Sequence, residues 1–311
     1  MKYAWLFPGQ GSQYVGMGRA LCEQSAAARQ VFERADEALG FSISRLCFDG
    51  PESELTLTKN TQPAIVATSI AALEALQESH PDIHAPWFVA GHSLGEYSAL
   101  VASGALTLED AVRIVHLRGA AMQDAVAPGL GSMAAIMGGT ADDVKALCID
   151  AAEGAVLSPA NFNAPGQVVI AGHHEAVDRA LSLTKDRGMK GIPLKVSAPF
   201  HCSLMAPAAQ KVRDALAKVT IRSPLCPVVA NVDAQPHTGP SEISELLFRQ
   251  VDSAVLWEQS VQFMAAEGVA TAVEFGPGKV LSGLIKRIDK TWMVRSVGTP
   301  EDFGPATQLL I

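Results

Sequence analysis

The sequence predicts an α/β protein: a mostly parallel sheet covered by helices on both faces, with a small ferredoxin-like domain inserted into it. Two observations carry this. The outer portions of the 311-residue chain alternate short apolar runs with helix-length stretches, the pattern of parallel strands joined by helices. Between about 127 and 197 the order becomes β-α-β-β-α-β, which is ferredoxin-like. Residues 1–126 and 198–311 are therefore assigned to a large domain and 127–197 to the insert.

Residues 3–7 are apolar and read as the first strand, and Pro8-Gly9-Gln10-Gly11-Ser12-Gln13 breaks regular structure after it. A helix is predicted over 20–39, with Gly40 as its C-cap. The stretch 42–57 is short and mixed. A helix over 64–76 is rich in Ala, Ile, Val and Leu, so it should be deeply buried, with Asn60 or Thr61 as its cap. A loop over 79–86 leads to a buried strand over 87–90 and a helix over 96–105. A further helix over 108–125 follows from Ala111, Val112, Ile114, Val115, Leu117 and Met122 at helical spacing.

In the insert, strands are predicted over 133–137, 155–163, 167–171 and 192–196, and helices over 141–152 and 175–187. Residues 161–167 read as a turn between two of those strands. The chain then returns with helices over 203–219, 243–251, 257–267 and 280–288, and strands over 227–232, 272–275 and 293–297. No internal repeat or low-complexity segment interrupts it.

Composition excludes several classes. A net charge of −8 argues against nucleic acid as a partner, because that electrostatic footprint is basic. No apolar run approaches the roughly 20 residues of a membrane span. The N-terminal apolar stretch is too short for a signal-peptide core. Five cysteines are scattered without a C-x-x-C pair, so neither a metal site nor a disulfide framework is indicated. The simplest setting is a reduced, cytoplasmic enzyme.

The chemistry centres on Gly91-His92-Ser93-Leu94-Gly95, a G-x-S-x-G between a predicted strand and a predicted helix. A sharp strand-to-helix turn leaves no room for side chains beside the serine and exposes its hydroxyl at the helix N-terminus. The helix end offers free N–H groups and partial positive charge, which favour an oxyanion. Ser93 is therefore read as a nucleophile. The loop with Gly9, Gly11 and Gly16 lacks the Gly-Lys-Ser/Thr of a phosphate loop. By composition Gln10 is either a solvated turn residue or an oxyanion donor. Arg118, alone on its helix, is by default a surface residue.

A serine nucleophile needs a base, and eight histidines compete for the role. His80, His84 and His237 sit in polar loops and read as solvated. His92 adjoins Ser93, so its ring should point away. His201 follows Pro199-Phe200 where the chain re-enters the large domain. A cleft between domains would lie there, which favours His201. No carboxylate announces itself as its orienter.

Phe7-Pro8-Gly9-Gln10-Gly11-Ser12-Gln13, Asn60-Thr61-Gln62-Pro63-Ala64, the G-x-S-x-G with Glu96, Arg118, Phe200-His201 and Glu274-Phe275-Gly276-Pro277-Gly278 occur in one order. This set resembles the malonyl-CoA:acyl-carrier-protein transacylases of fatty-acid synthesis and the acyltransferase domains of polyketide synthases. The resemblance covers about residues 3–298. It implies an α/β-hydrolase-like large domain with a ferredoxin-like insert. It implies Ser93 as the acylated nucleophile and His201 as the base. Gln10 and the Leu94 N–H would form the oxyanion hole. Arg118 would bind the malonyl carboxylate, and Gln250 would orient His201 through its backbone carbonyl. Gln62 and Asn161 would line the pocket. Malonyl-CoA would be the substrate, acyl carrier protein the partner, and no cofactor would be permanently bound. Phe200 resembles malonyl-type members, since a bulky phenyl would crowd an α-methyl group.

Carrier proteins are acidic, so docking calls for a basic patch. One or both of two clusters are expected to face the cleft entrance: Lys185, Arg187, Lys190 and Lys195, and Lys279, Lys286, Arg287 and Lys290. The competing readings are a serine hydrolase, a non-catalytic carrier-docking protein, and a free-standing acyltransferase serving a polyketide assembly line.

Overall fold

The computed structural model describes residues 2–310. Its strands are β1 (Tyr3–Phe7), β2 (Phe88–Gly91), β3 (Gly131–Met137), β4 (Leu157–Ala164), β5 (Gln167–His173), β6 (Lys190–Pro193), β7 (Val228–Val229), β8 (Pro236–His237), β9 (Thr271–Phe275) and β10 (Met293–Val297). They form a six-stranded sheet, β10-β9-β1-β2-β7-β8, and a four-stranded sheet, β4-β5-β3-β6.

The large sheet is parallel except for β8, which runs antiparallel to β7. All five residues of β1 are buried, as a central strand covered on both faces requires. Phe7 pairs with Gly91, and Leu6 with Glu274. The carboxyl ends of β1, β2 and β9 therefore lie side by side, and the loops holding Gln10, Ser93 and Gly276 leave the same edge. Crevices at such an edge are where open α/β sheets bind ligands.

The small sheet has the expected ferredoxin-like order and is antiparallel. Its side chains alternate with the strand period of two. Ala134, Ile136, Val168 and Ile170 pack with Val144, Leu147, Val177 and Ala180 of helices Ala141–Ala152 and His174–Thr184. Met133, Val169 and Ala171 face the other way, into the core shared with the large sheet. A backbone bridge joins the two layers: Phe162 N–H donates to Val255 O and Val255 N–H to Ala160 O, both at 2.9 Å.

Several elements differ from expectation. Residues 20–39 hold two helices, Arg19–Gln24 and Ala26–Leu39, because Ser25 is extended and caps the second, its Oγ accepting from Ala28 N–H. Gly40 does close that helix, at φ 73°. The 64–76 helix runs Thr58–Ser79, with Leu57 at the N-cap position. Asn60 and Thr61 cap nothing; they donate to the carbonyls of Glu54 and Leu55. Pro63 lies inside this helix, where it leaves the carbonyl four residues back without its helical donor. His116 supplies one: its Nδ1 lies 2.8 Å from Lys59 O.

The last strand of the insert is Lys190–Pro193, not 192–196. Leu194 N–H still donates to Met133 O of β3 at 2.9 Å, after which Val196 N–H turns back to Leu194 O and the ladder ends. Residues 161–164 belong to β4 rather than to a turn. Only Val228–Val229 of 227–232 is strand. His237 is not solvated: it lies on β8 between Asp233 and Glu242, at 2.9 and 3.0 Å. The short strand β8 and the final helix Phe303–Leu310 were not foreseen.

Candidate active site

β2 ends at Gly91, and a helix begins at Gly95 and runs to Ala102. Ser93 between them sits at φ 52°, a left-handed conformation uncommon outside glycine. The flanking glycines are sterically required. A Cβ on Gly91 would lie 1.9 Å from Gly95 O, and one on Gly95 would lie 2.2 Å from Phe7 O. Asn231 holds the turn from outside: its Oδ1 accepts from Ser93 N–H and its Nδ2 donates to Gly91 O, both at 2.7 Å. Ser93 Oγ points across to His201 Nε2 at 2.7 Å.

His201 is buried and is itself left-handed, at φ 60°. Its Nδ1 lies 2.9 Å from the main-chain oxygen of Gln250. A carbonyl only accepts, so Nδ1 carries the proton and Nε2 is free to take one from Ser93. Burial, with the nearby Arg118 charge, lowers the imidazole to about 3. The ring therefore waits neutral, ready to act as a base.

Arg118 is not a surface residue. It projects from helix Leu108–Asp124 and is 1% exposed. One terminal nitrogen, Nη1, donates to Gln62 Oε1 at 2.8 Å. The other, Nη2, donates to Gln250 Oε1 at 2.9 Å and to Ser93 Oγ at 3.0 Å. The fork is thus held by amide oxygens, which orient it without cancelling its charge.

A cavity of about 240 Å³ opens beside Ser93. Gln10, Gln62, Leu94, Arg118, Asn161 and Phe200 line it. Gln10 is exposed, and the Leu94 N–H finds no acceptor among the described residues. His92 lines the cavity too, and its ring turns to Asn163, with Nε2 2.8 Å from Asn163 Oδ1, rather than to Ser93. Of the basic clusters, Arg287 donates to Gln167 beside the cavity at 2.8 Å, whereas Arg187 pairs with Asp150. No group of three His, Cys, Asp or Glu among the described residues is placed to hold a metal ion.

The residues that sequence reading passed over are Asn231 and Glu96. The Glu96 carboxylate is 3% exposed. Its Oε2 accepts from Asn231 N–H at 2.9 Å and from Gln250 Nε2 at 2.8 Å. Burial raises this carboxyl to about 7, against the hydrogen bonds from Gln250 and Asn231. Glu96 stood inside the quoted motif without a role, and nothing local marks Asn231.

The family model described as "acyl transferase domain" matches residues 4–296. The chain belongs to the acyl transferase family. This acyltransferase is 48% identical over 311 residues to the malonyl CoA-acyl carrier protein transacylase of Bacillus subtilis, covering 99% of this chain and 97% of the relative. A crystal structure of the acyl-carrier-protein S-malonyltransferase of Burkholderia pseudomallei superposes with a TM-score of 0.96 at 46% identity, covering 99% of this chain and 100% of that one. A malonyl-transacylase solved in complex with its type II PKS acyl-carrier protein superposes with a TM-score of 0.95 at 42% identity, covering 99% of each chain.

Proposed function

We propose that this acyltransferase moves a malonyl group from malonyl-CoA to the phosphopantetheine thiol of acyl carrier protein, through a malonyl ester on Ser93. The observation that carries the reading is Arg118: a buried guanidinium with no carboxylate partner among the described residues, 3.0 Å from the Ser93 hydroxyl. Such a fork suits a carboxylate met by two hydrogen bonds. A malonyl group supplies that carboxylate, and an acetyl group leaves the fork unpaired.

Ser93 Oγ adds to the thioester carbonyl carbon as His201 Nε2 takes its proton. The oxyanion is received by the Leu94 N–H and Gln10, with a typical worth of ~3 kcal/mol per donor. The C–S bond breaks, and CoA leaves as the thiol with the proton from His201. The carrier thiol then gives its proton to His201 and attacks the ester carbonyl. The C–Oγ bond breaks, and Ser93 recovers its proton. This is a double displacement with ping-pong kinetics. It requires no permanently bound cofactor. Asn161 and Phe200 shape the acyl site, and the phenyl ring disfavours a branched α-carbon.

The chain reads as two domains, 1–126 with 198–311 and the insert 127–197, with the acyl site between them. No helix among the described residues is long and apolar enough to cross a membrane. The five unpaired thiols and a CoA thioester donor support a cytoplasmic setting.

The test is intact mass spectrometry after mixing with malonyl-CoA. A gain of one malonyl group is expected, lost in Ser93→Ala and discharged by carrier protein. Rapid discharge by water without any thiol would make the protein a hydrolase instead.

A further inference from the structure

We infer that Glu96 is a positioning residue: its carboxylate fixes the side-chain amide of Gln250 so that the amide oxygen faces Arg118, and thereby sets the fork that selects carboxylated acyl groups. The inference rests on the roles proposed above for Ser93, His201 and Arg118.

Gln250 is fully buried, with 0% exposure, and bonds to Ser93, His201 and Arg118. Its main-chain oxygen faces His201 Nδ1. Its Nε2 donates to Glu96 Oε2 at 2.8 Å and to Ser93 O at 3.0 Å, and its Oε1 accepts from Arg118 at 2.9 Å. The two ends of this amide are not interchangeable. Turned over, it would present N–H groups to a guanidinium, which accepts nothing. Of the two acceptors that hold Nε2 in place, the carboxyl forms the stronger, charge-assisted bond once it is ionised, above about pH 7.

Glu96 is itself anchored. Its Oε2 accepts from the N–H of Asn231 at 2.9 Å, and Asn231 grips Ser93 N–H and Gly91 O. The carboxylate therefore relates the amide, and through it Arg118, to the same turn that carries the nucleophile. The chemistry of the chain Arg118–Gln250–Glu96 also explains why an amide stands in the middle. A carboxylate touching Arg118 would occupy and neutralise the fork. A neutral amide passes on the orientation and leaves the charge for the incoming substrate.

The experiment, run at pH 8 where Glu96 is ionised, measures kcat/KM for acylation of Ser93 by malonyl-CoA and by acetyl-CoA, in the wild type, Glu96→Ala and Glu96→Gln. Glu96→Ala is expected to lower the malonyl-to-acetyl ratio about tenfold or more, the size of one lost charge-assisted hydrogen bond. Glu96→Gln keeps an acceptor for the same two N–H groups, so its ratio should stay within about threefold of wild type. Equal loss with both donors, an unchanged ratio in Glu96→Ala, or a Glu96→Gln ratio as low as that of Glu96→Ala overturns the inference. If Glu96→Ala does not fold, Gln250→Leu removes the amide from the other end, and an unchanged ratio there overturns it equally. A wild-type protein that never acquires a malonyl group on Ser93 refutes the underlying function instead, and is distinguished at the first measurement.

Discussion

Ser93 and His201 face each other from two left-handed backbone turns, at φ 52° and φ 60°, with Oγ and Nε2 2.7 Å apart. Neither is a glycine, and each such conformation costs about 1–3 kcal/mol. The strain persists because surrounding groups over-determine it. Asn231 grips the Ser93 turn on both sides, and Gln250 O holds the imidazole. Strain at this place aims a hydroxyl and a ring that ordinary backbone would turn apart.

Asn231→Ala removes the side-chain bonds to Ser93 N–H and Gly91 O. It should destabilise the protein by about 2 kcal/mol, within the range for buried polar groups left unpaired. Acylation of Ser93 should slow as well. Chemical denaturation and the acylation rate measure the two effects separately.

Arg118→Ala should lower malonyl acylation about a hundredfold, as loss of a doubly hydrogen-bonded charged pair implies. Acetyl acylation should fall much less. Arg118→Lys should not restore the preference, because an ammonium cannot span Gln62 and Gln250 while presenting a flat fork. Competition between the two CoA esters, read by intact mass, decides this.

The His201 ring is lowered to about 3 by burial first and by the Arg118 charge second. Its NMR titration should therefore lie well below the usual histidine range, and acylation should show no acid limb near pH 6.5, the unperturbed histidine value. In Arg118→Ala the ring should titrate at higher pH, since one of the two depressing causes is gone. A ring signal that does not move would contradict this.

Glu96 carries a stability signature of the opposite sign to that of His201. Its carboxyl is raised from 4.5 to about 7 in the folded protein. Between those values the folded state holds a proton that the unfolded state has released, so stability declines as pH rises through the window. The contribution is about 3 kcal/mol at most. His201, lowered from 6.5 to about 3, favours the folded state as pH rises across its own window. Glu96→Gln removes only the first trend. Its stability relative to wild type should therefore increase from pH 5 to pH 8 in denaturant titrations.

Lys286→Glu with Arg287→Glu should raise the KM for carrier protein at low salt, with the effect fading as salt is added. Arg287 lies beside the cavity through Gln167, where an acidic carrier would approach. An unchanged KM at low salt would remove this cluster from the docking surface.

Much of the fold was legible along the chain. The apolar run of β1, the helical spacing that became Leu108–Asp124, and the β-α-β-β-α-β order of the insert are local patterns. Misreadings fell where a distant group intervened. Pro63 did not delay its helix, because His116 serves the carbonyl that the proline leaves. The last strand of the insert moved from 192–196 to Lys190–Pro193 because pairing with β3 sets its register. In the site, Ser93 was visible from its glycines, whereas His201 was one candidate among eight. Arg118, Gln10 and Gln250 were placed only by family resemblance, since an isolated Arg or Gln carries no local signal.

By itself, the amino-acid sequence determined the periodic elements, the glycine-flanked turn at Ser93 and the family to which the whole pattern belongs. Each of these depends on residues close together in the chain, or on their order. Tertiary structure alone decided that Arg118 is buried, that Gln62 and Gln250 hold it, and that Glu96 and Asn231 brace the turn. Those contacts join residues separated by 56 to 140 positions. Whether such groups meet depends on how the sheets and helices pack, which no local pattern encodes.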